Sequence, residues 1–242
     1  MILAINTSTP QFGLALMGHD GTILAEYFMS REKGFGSLIP ALHFLLSKLK
    51  ADIHDQKAIA VATGPGSFTG LRVGLSAAKG LCHALEIPII GIPGLEALAS
   101  QLPYSDLPIT PVLYSRKREV YTAQFIRNDD HKLTRTMDDM ALKIDDLPSI
   151  FNTSSRFIGN DFKNQSHLLN EALGSLVHLA PPNCWNLKAS SVGALGLKRF
   201  HGNDVDDPQT LEPIYLRPPD IRANPFPLMT DQRKPENPGS EA

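Results

Sequence analysis

Cysteine is nearly absent from this chain: Cys82 and Cys184 occur in 242 residues, without a CxxC pair. That excludes a disulfide framework and a four-cysteine zinc site, and it fits a reducing cytoplasm. A charge excess is missing too. Lys and Arg number 23 against 25 Asp and Glu, a formal net charge of −2, so nothing global draws the chain to a nucleic-acid backbone. There is no long apolar run. The N-terminal Met1-Ile-Leu-Ala-Ile5 reaches Asn6 and Thr7 at once, too short for a signal h-region or a membrane span, so a cytoplasmic protein without membrane contact is expected. None of the eight histidines has another four residues away, which removes the two-imidazole metal clip, and no metal is expected.

What the chain does have is one glycine-rich loop. Gly64-Pro-Gly-Ser-Phe-Thr-Gly70 follows the apolar strand 57–62 and opens a helix predicted over about 69–86. Gly64, Gly66, Ser67 and Thr69 form a candidate ligand loop, in which the glycines open unusual backbone angles and Ser67 or Thr69 caps the helix. No Gly-Lys-Ser/Thr follows, so the loop is not a nucleotide P-loop, and Ser67 lacks the Gly-x-Ser-x-Gly context of a nucleophile. No catalytic residue is assigned.

The helix itself carries two apolar stripes. Leu71, Gly74, Leu75, Ala78, Leu81, Cys82 and Leu85 make an ordinary core face. Gly70, Val73, Ala77, Gly80 and Ala84 make a second, small-residue stripe beside it. Interior glycines cost about 1 kcal/mol each relative to alanine, an expense that close backbone approach offsets. A covering partner is therefore expected, with the helix 37–50 alongside, capped by Ser37, contributing Leu38, Ile39 and Leu42. Arg72, a cation facing the positive end of the helix dipole, joins this candidate interface because an external group would relieve it.

The order of elements predicts an α/β protein of two lobes. Strands 2–6, 12–17 and 22–29, helix 37–50, strand 57–62, helix 69–86 and strand 88–92 fill residues 1–102 with helix 94–101. A hinge is expected at Leu102 to Pro108. Strands 110–115, 119–126 and 132–137, helix 144–150, strand 156–159 and helices 161–173 and 189–201 give residues 109–217 a degraded echo of the first lobe. Residues 218–242 read as a Pro-rich, partly disordered tail. Two β-β-β-α-β-α units in tandem are the plan of the actin-like (ASKHA) group, where an acidic residue ending the first strand serves magnesium. Here the position is Asn6, which cannot supply that charge.

Taken together, Ile2-Leu-Ala-Ile-Asn-Thr-Ser-Thr9, Gly64 to Leu75, Ala78-Lys-Gly-Leu81, Arg116-Lys-Arg-Glu-Val-Tyr121 and Pro213-Ile-Tyr-Leu-Arg217 resemble the TsaB (YeaZ) family, partner subunits of the machinery that makes N6-threonylcarbamoyladenosine (t6A) in tRNA. The resemblance implies a non-catalytic subunit without a cofactor, whose N-lobe helices pair with a TsaD-like transferase subunit as a heterodimer. It also implies a TsaE-like ATPase as a further partner, tRNA contact only through partners, and a homodimer when the chain is alone. The chain departs from the family at Asn6 and Tyr114, where aspartate is usual, at Arg118, where glycine is usual, and near Gly34-Phe-Gly36, where a histidine is usual. Two alternatives stay open from the residues alone: an ATP-binding or hydrolysing actin-like enzyme, and an M22-type glycoprotease-like protein.

Overall fold

In a computed structural model the described residues are 1–30, 37–116, 118–128 and 132–217; Gly34 to Gly36, Lys117 and the tail from 218 lie outside them. Strands β1 (Ile2–Asn6), β2 (Gln11–Met17), β3 (Ile23–Ser30), β4 (Ala58–Gly64) and β5 (Ile89–Pro93) form one mixed sheet in the order β3-β2-β1-β4-β5. β1 pairs antiparallel with β2 and parallel with β4. Every residue of β1 and β4 is buried, because this sheet is covered on both faces.

Alternation sorts the side chains by size as well as by face. Leu3, Ile5, Leu14, Leu16, Ile59 and Val61 point to one side, where α1 (Leu38–Leu49) and α2 (Phe68–Leu85) pack through Leu38, Ala41, Leu42, Leu45, Leu75, Ala78 and Cys82. The other side is lined by Ile2 and by small residues, Ala4, Ala15, Ala58, Ala60 and Ala62. Against it lies α6 (Ala189–His201), the last helix of the described residues. A Cβ on Gly196 would sit 2.4 Å from the Ala60 Cβ, and one on Gly193 would sit 3.0 Å from the Ala4 Cβ. Glycine on the helix and alanine on the strands thus let the two backbones approach.

The second sheet, in the order β10-β9-β6-β7-β8, repeats the plan of the first. β6 (Ile109–Arg116), β7 (Glu119–Arg127) and β8 (Leu133–Lys143) are an antiparallel meander; β9 (Ser155–Gly159) and β10 (Val177–Leu179) add parallel strands. The helix expected at 144–150 is a 3-10 turn, Ile144–Asp146, followed by the single-turn α4 (Leu147–Ile150), and α5 (Phe162–Leu173) follows β9. β10 has no counterpart in the sequence reading, and β8 runs six residues further than expected, past Asp138 and Asp139.

The lobes are joined by exchanged helices. α6 comes from the second half and packs on the first sheet, whereas α3 (Gly94–Ser100) comes from the first half and packs on β6, β7 and β9. One apolar cluster runs through both, from Ile2 to Phe157 and Trp185. Gln101 ties the crossing: its Nε2 donates to Cys184 O and Asn186 O at 2.7 and 3.1 Å, and its Oε1 accepts from Lys188 N at 2.7 Å and Ser191 Oγ at 3.2 Å. The stretch expected as a hinge starts pinned rather than open. Leu102 is buried, and its carbonyl accepts from Arg127 Nε at 2.7 Å.

Candidate functional site

The glycine loop is folded onto the end of β1. Gly64 adopts φ +115°, and a Cβ there would lie 2.8 Å from Ile214 O, so both backbone angle and space demand glycine. At Gly66 and Gly74 a Cβ would fall 2.2 Å from Ser8 O and 2.1 Å from Thr7 Oγ1. Ser67 N donates to Ser8 O at 2.7 Å, Gly70 N to Ser67 Oγ at 3.2 Å, and Leu71 N to Ser67 O at 2.8 Å. Three N–H groups of this helix start are therefore used within the chain, with Ser67 as the cap; Thr69 is exposed in the first turn. Ser37 occupies the corresponding position of α1 but makes no side-chain cap bond.

Asn6 is fully buried and fully engaged. Its Oδ1 accepts from Ser8 N at 3.0 Å and Ser8 Oγ at 2.7 Å, while its Nδ2 donates to Leu187 O at 2.8 Å and Thr9 Oγ1 at 3.3 Å. A neutral amide here closes a turn and joins the approach to α6. Among the described residues no three His, Cys, Asp or Glu side chains converge as a metal set.

The small-residue stripe of α2 divides in two. Gly70 is buried, its carbonyl accepting from Thr7 Oγ1 at 2.7 Å, and Leu38 is buried in the core beneath α1; neither is available to a partner, which corrects the stripe drawn from spacing alone. Leu42 is largely covered but forms the floor of a groove of about 410 Å³ between α1 and α2, together with Ile39, Leu46, Ile53 and Leu81. Ile39 is 57% exposed and Phe44, on the same helix, 49%. Val73 and Ala77 are half-buried, Gly80 and Ala84 exposed. Among the described residues, a Cβ on Gly80 would meet nothing within 4 Å. Periodicity places Leu81 on the core face of α2, whereas the structure sets it at the groove, a position that depends on how the two helices lie against each other.

Arg72 has found its relief inside the chain. Its guanidinium lies 3.9 Å from the centre of the Phe68 ring, one turn back, and its Nε donates to Tyr215 Oη at 3.2 Å. Tyr215 belongs to the segment 214–217, which lines the interlobe cleft: Ile214 N donates to Thr63 O at 2.7 Å, and the Tyr215 and Phe68 rings stand 5.2 Å apart. On the far side Arg217 Nη1 meets Glu119 Oε2 at 2.6 Å, the same carboxylate that Arg116 Nε meets at 3.0 Å. Arg118 adopts φ +56°, the left-handed region that favours glycine, and pairs with Asp145. The basic turn thus has its two described arginines in ion pairs. The cleft measures about 400 Å³ and is lined also by Ser8, Gly66, Ser67, Tyr114, Tyr121 and Asn160. Burial, helped by the charge of Asp161, raises the Tyr114 phenol above its usual pKa.

The model of the family described as "TsaD: tRNA N6-adenosine threonylcarbamoyltransferase" matches residues 35–199. A Bacillus subtilis protein named "tRNA threonylcarbamoyladenosine biosynthesis protein TsaB" is 31% identical over 220 residues, covering 89% of this chain and 93% of that protein. The Escherichia coli protein of the same name is 34% identical over 132 residues, 53% of this chain and 56% of its own length. Among solved structures, YeaZ from Pseudomonas aeruginosa superposes with a TM-score of 0.73 at 20% identity, covering 89% of this chain and 99% of that one, a likeness of fold. The architecture is the actin-like α/β fold of two lobes, with the second reduced at α4 and β10. No helix among the described residues is long and apolar enough to cross a membrane.

Proposed function

The chain belongs to the TsaB (YeaZ) family of tRNA threonylcarbamoyladenosine biosynthesis proteins, and from this premise we propose that it is a non-catalytic subunit that docks on a TsaD-like transferase subunit and supports its action on tRNA. The observation carrying this reading is the face of α2 left uncovered by the described residues: Gly80 and Ala84 exposed, Val73 and Ala77 half-exposed, and no described residue near Gly80, beside the groove floored by Leu42 and rimmed by Ile39. An interior glycine that none of the described residues approaches is a cost in helix propensity that a closely packed helix of a partner offsets. In this reading a TsaE-like ATPase joins the pair, tRNA is met through the partners, and the same apolar face pairs with a second copy when the TsaD-like subunit is absent.

The candidate ligand loop, Gly64, Gly66, Ser67 and Thr69, then serves as the turn that launches the docking helix. Asn6, in the place of a magnesium-serving acid, spends its amide on Ser8, Thr9 and Leu187. The test is reconstitution of t6A formation from TsaD-like and TsaE-like proteins of the same cell. Omitting this chain, or supplying it as Ala77→Arg, should abolish product while the variant keeps the wild-type melting temperature. Product formed equally well without the chain, or steady magnesium-ATP hydrolysis by the chain alone, would overturn the proposal.

A further inference from the structure

Among the described strands, β5, β10, β8 and β3 stand at sheet edges, and the first three are closed to further pairing. The chain itself covers β5. Asp206 N donates to Ile89 O at 3.0 Å, Gly91 N to Asp206 Oδ2 at 2.7 Å and Arg199 Nη1 to Gly91 O at 2.7 Å. β10 is three residues long. β8 carries Arg135, Asp138, Asp139 and Lys143, and its register against β7 shifts at two places. Cover, short length, charge and bulges are the means by which a sheet edge is kept from pairing with another chain.

β3 has little of this protection. Its eight residues include no proline and one charge, Glu26, and its single register shift, at Leu24, leaves Ala25 to Ser30 in unbroken pairing with β2. Every second residue of an antiparallel edge strand turns its N–H and C=O away from the sheet. Among the described residues, none bonds to the outward groups between Ala25 and Met29. The side chains add a preference. Glu26 is exposed; its Oε1 accepts from Ser190 N at 2.8 Å, and it makes no ion pair among the described residues, Lys188 included. Phe28, on the same face, is 47% exposed. Both line a cavity of about 370 Å³ whose other walls include Pro182, Trp185 and Lys188. Alternating N–H and C=O groups along a straight edge are matched by an extended backbone, not by a helix or a nucleic acid. Across such a pair Glu26 favours a cation and Phe28 an apolar side chain.

We propose that β3 takes an extended segment of a partner polypeptide as a sixth strand of the first sheet, with a cationic side chain opposite Glu26 and an apolar one opposite Phe28. This edge is separate from the outer face of α2, and its test involves no TsaD-like subunit. The probe is the acetylated and amidated peptide Thr-Val-Thr-Lys-Thr-Val-Thr, which offers lysine and valine two residues apart in either strand direction. Titrated into the 15N-labelled full chain, it should give saturable shifts centred on residues 24–29 and slow the amide exchange of alternate residues there. Two further peptides, N-methylated on the even or on the odd residues, separate strand addition from loose apolar contact. One should bind and the other should not, because only one set of N–H groups faces β3. Exchanging the peptide's lysine for glutamate should weaken binding about threefold or more, and Phe28→Lys should weaken it about fivefold or more. Glu26→Gln keeps an acceptor for Ser190 N and should remove the preference for lysine over glutamate. The N-methylated pair decides the matter if a variant is not folded. No saturable shift up to about 5 mM peptide would overturn the proposal. So would no difference between the two N-methylated peptides, equal affinity for the lysine and glutamate peptides, undiminished binding by folded Phe28→Lys, or exchange protection of the outward β3 amides before peptide is added.

Discussion

Replacing Gly80 by alanine separates the stability of the isolated chain from the stability of its proposed complex, because the two should move in opposite directions. Gly80 lies inside α2 at ordinary helical angles, exposed, with no described residue within 4 Å of where a Cβ would stand. Alanine there gains about 1 kcal/mol of helix propensity. For a chain of this length that corresponds to a rise in Tm of roughly 2–4 °C, read by scanning calorimetry at low concentration. If a partner helix packs closely on the small-residue face, the added methyl must be accommodated at a cost of about 1–3 kcal/mol. Titration calorimetry against a TsaD-like subunit should then show a Kd weakened by roughly 5- to 150-fold. A higher Tm with an unchanged Kd would refute the idea that the glycine serves close approach by a partner. A lower Tm would show that the chain itself closes over Gly80.

Other changes test the fold from which that face projects. Gly196→Ala places a methyl 2.4 Å from the Ala60 Cβ, two atoms without flexible ends, and should lower stability by about 1–3 kcal/mol in urea unfolding. Gln101→Ala strips acceptors from Lys188 N and Ser191 Oγ and donors from two carbonyls at the crossing between lobes, and should cost about 2–3 kcal/mol by the same measurement. Burial pushes the Cys82 thiol up to about 12. At pH 8 a thiol reagent should titrate Cys184 in the native protein and Cys82 only after denaturation. Because the folded thiol holds its proton where the unfolded one loses it, the contribution of Cys82 is fully present below about pH 9 and is lost as pH rises towards 12. Cys82→Ala should flatten that alkaline loss; a profile identical to wild type would remove Cys82 as its source.

Much of the fold was legible because the helices and long strands carry complete periods. The meander 2–29, the strand before the glycine loop and the two faces of α2 follow from alternation and from i, i+3, i+4 spacing. The docking of α6 was not legible. Periodicity gives the apolar side of a helix but not the sheet that receives it; the available signal was the match between Gly193 and Gly196 and the alternate alanines of β1 and β4. β10 was missed because three residues hold no period, and β8 was cut short because Asp138 and Asp139 interrupt its apolar pattern. Gly70 and Gly80 look alike along the chain, yet one is buried beneath Thr7 and the other is open. The hydrogen bonds of Asn160 left no signal in the sequence, since Tyr114 and Gln165 are brought to it by the second sheet and α5.

Docking through the outer face of α2 is tested most directly by sedimentation velocity of the full chain mixed with a purified TsaD-like subunit. Wild type should form a one-to-one complex, and Ala77→Arg, folded with an unchanged Tm, should leave the two species sedimenting separately. A complex that forms undiminished with Ala77→Arg would contradict the account.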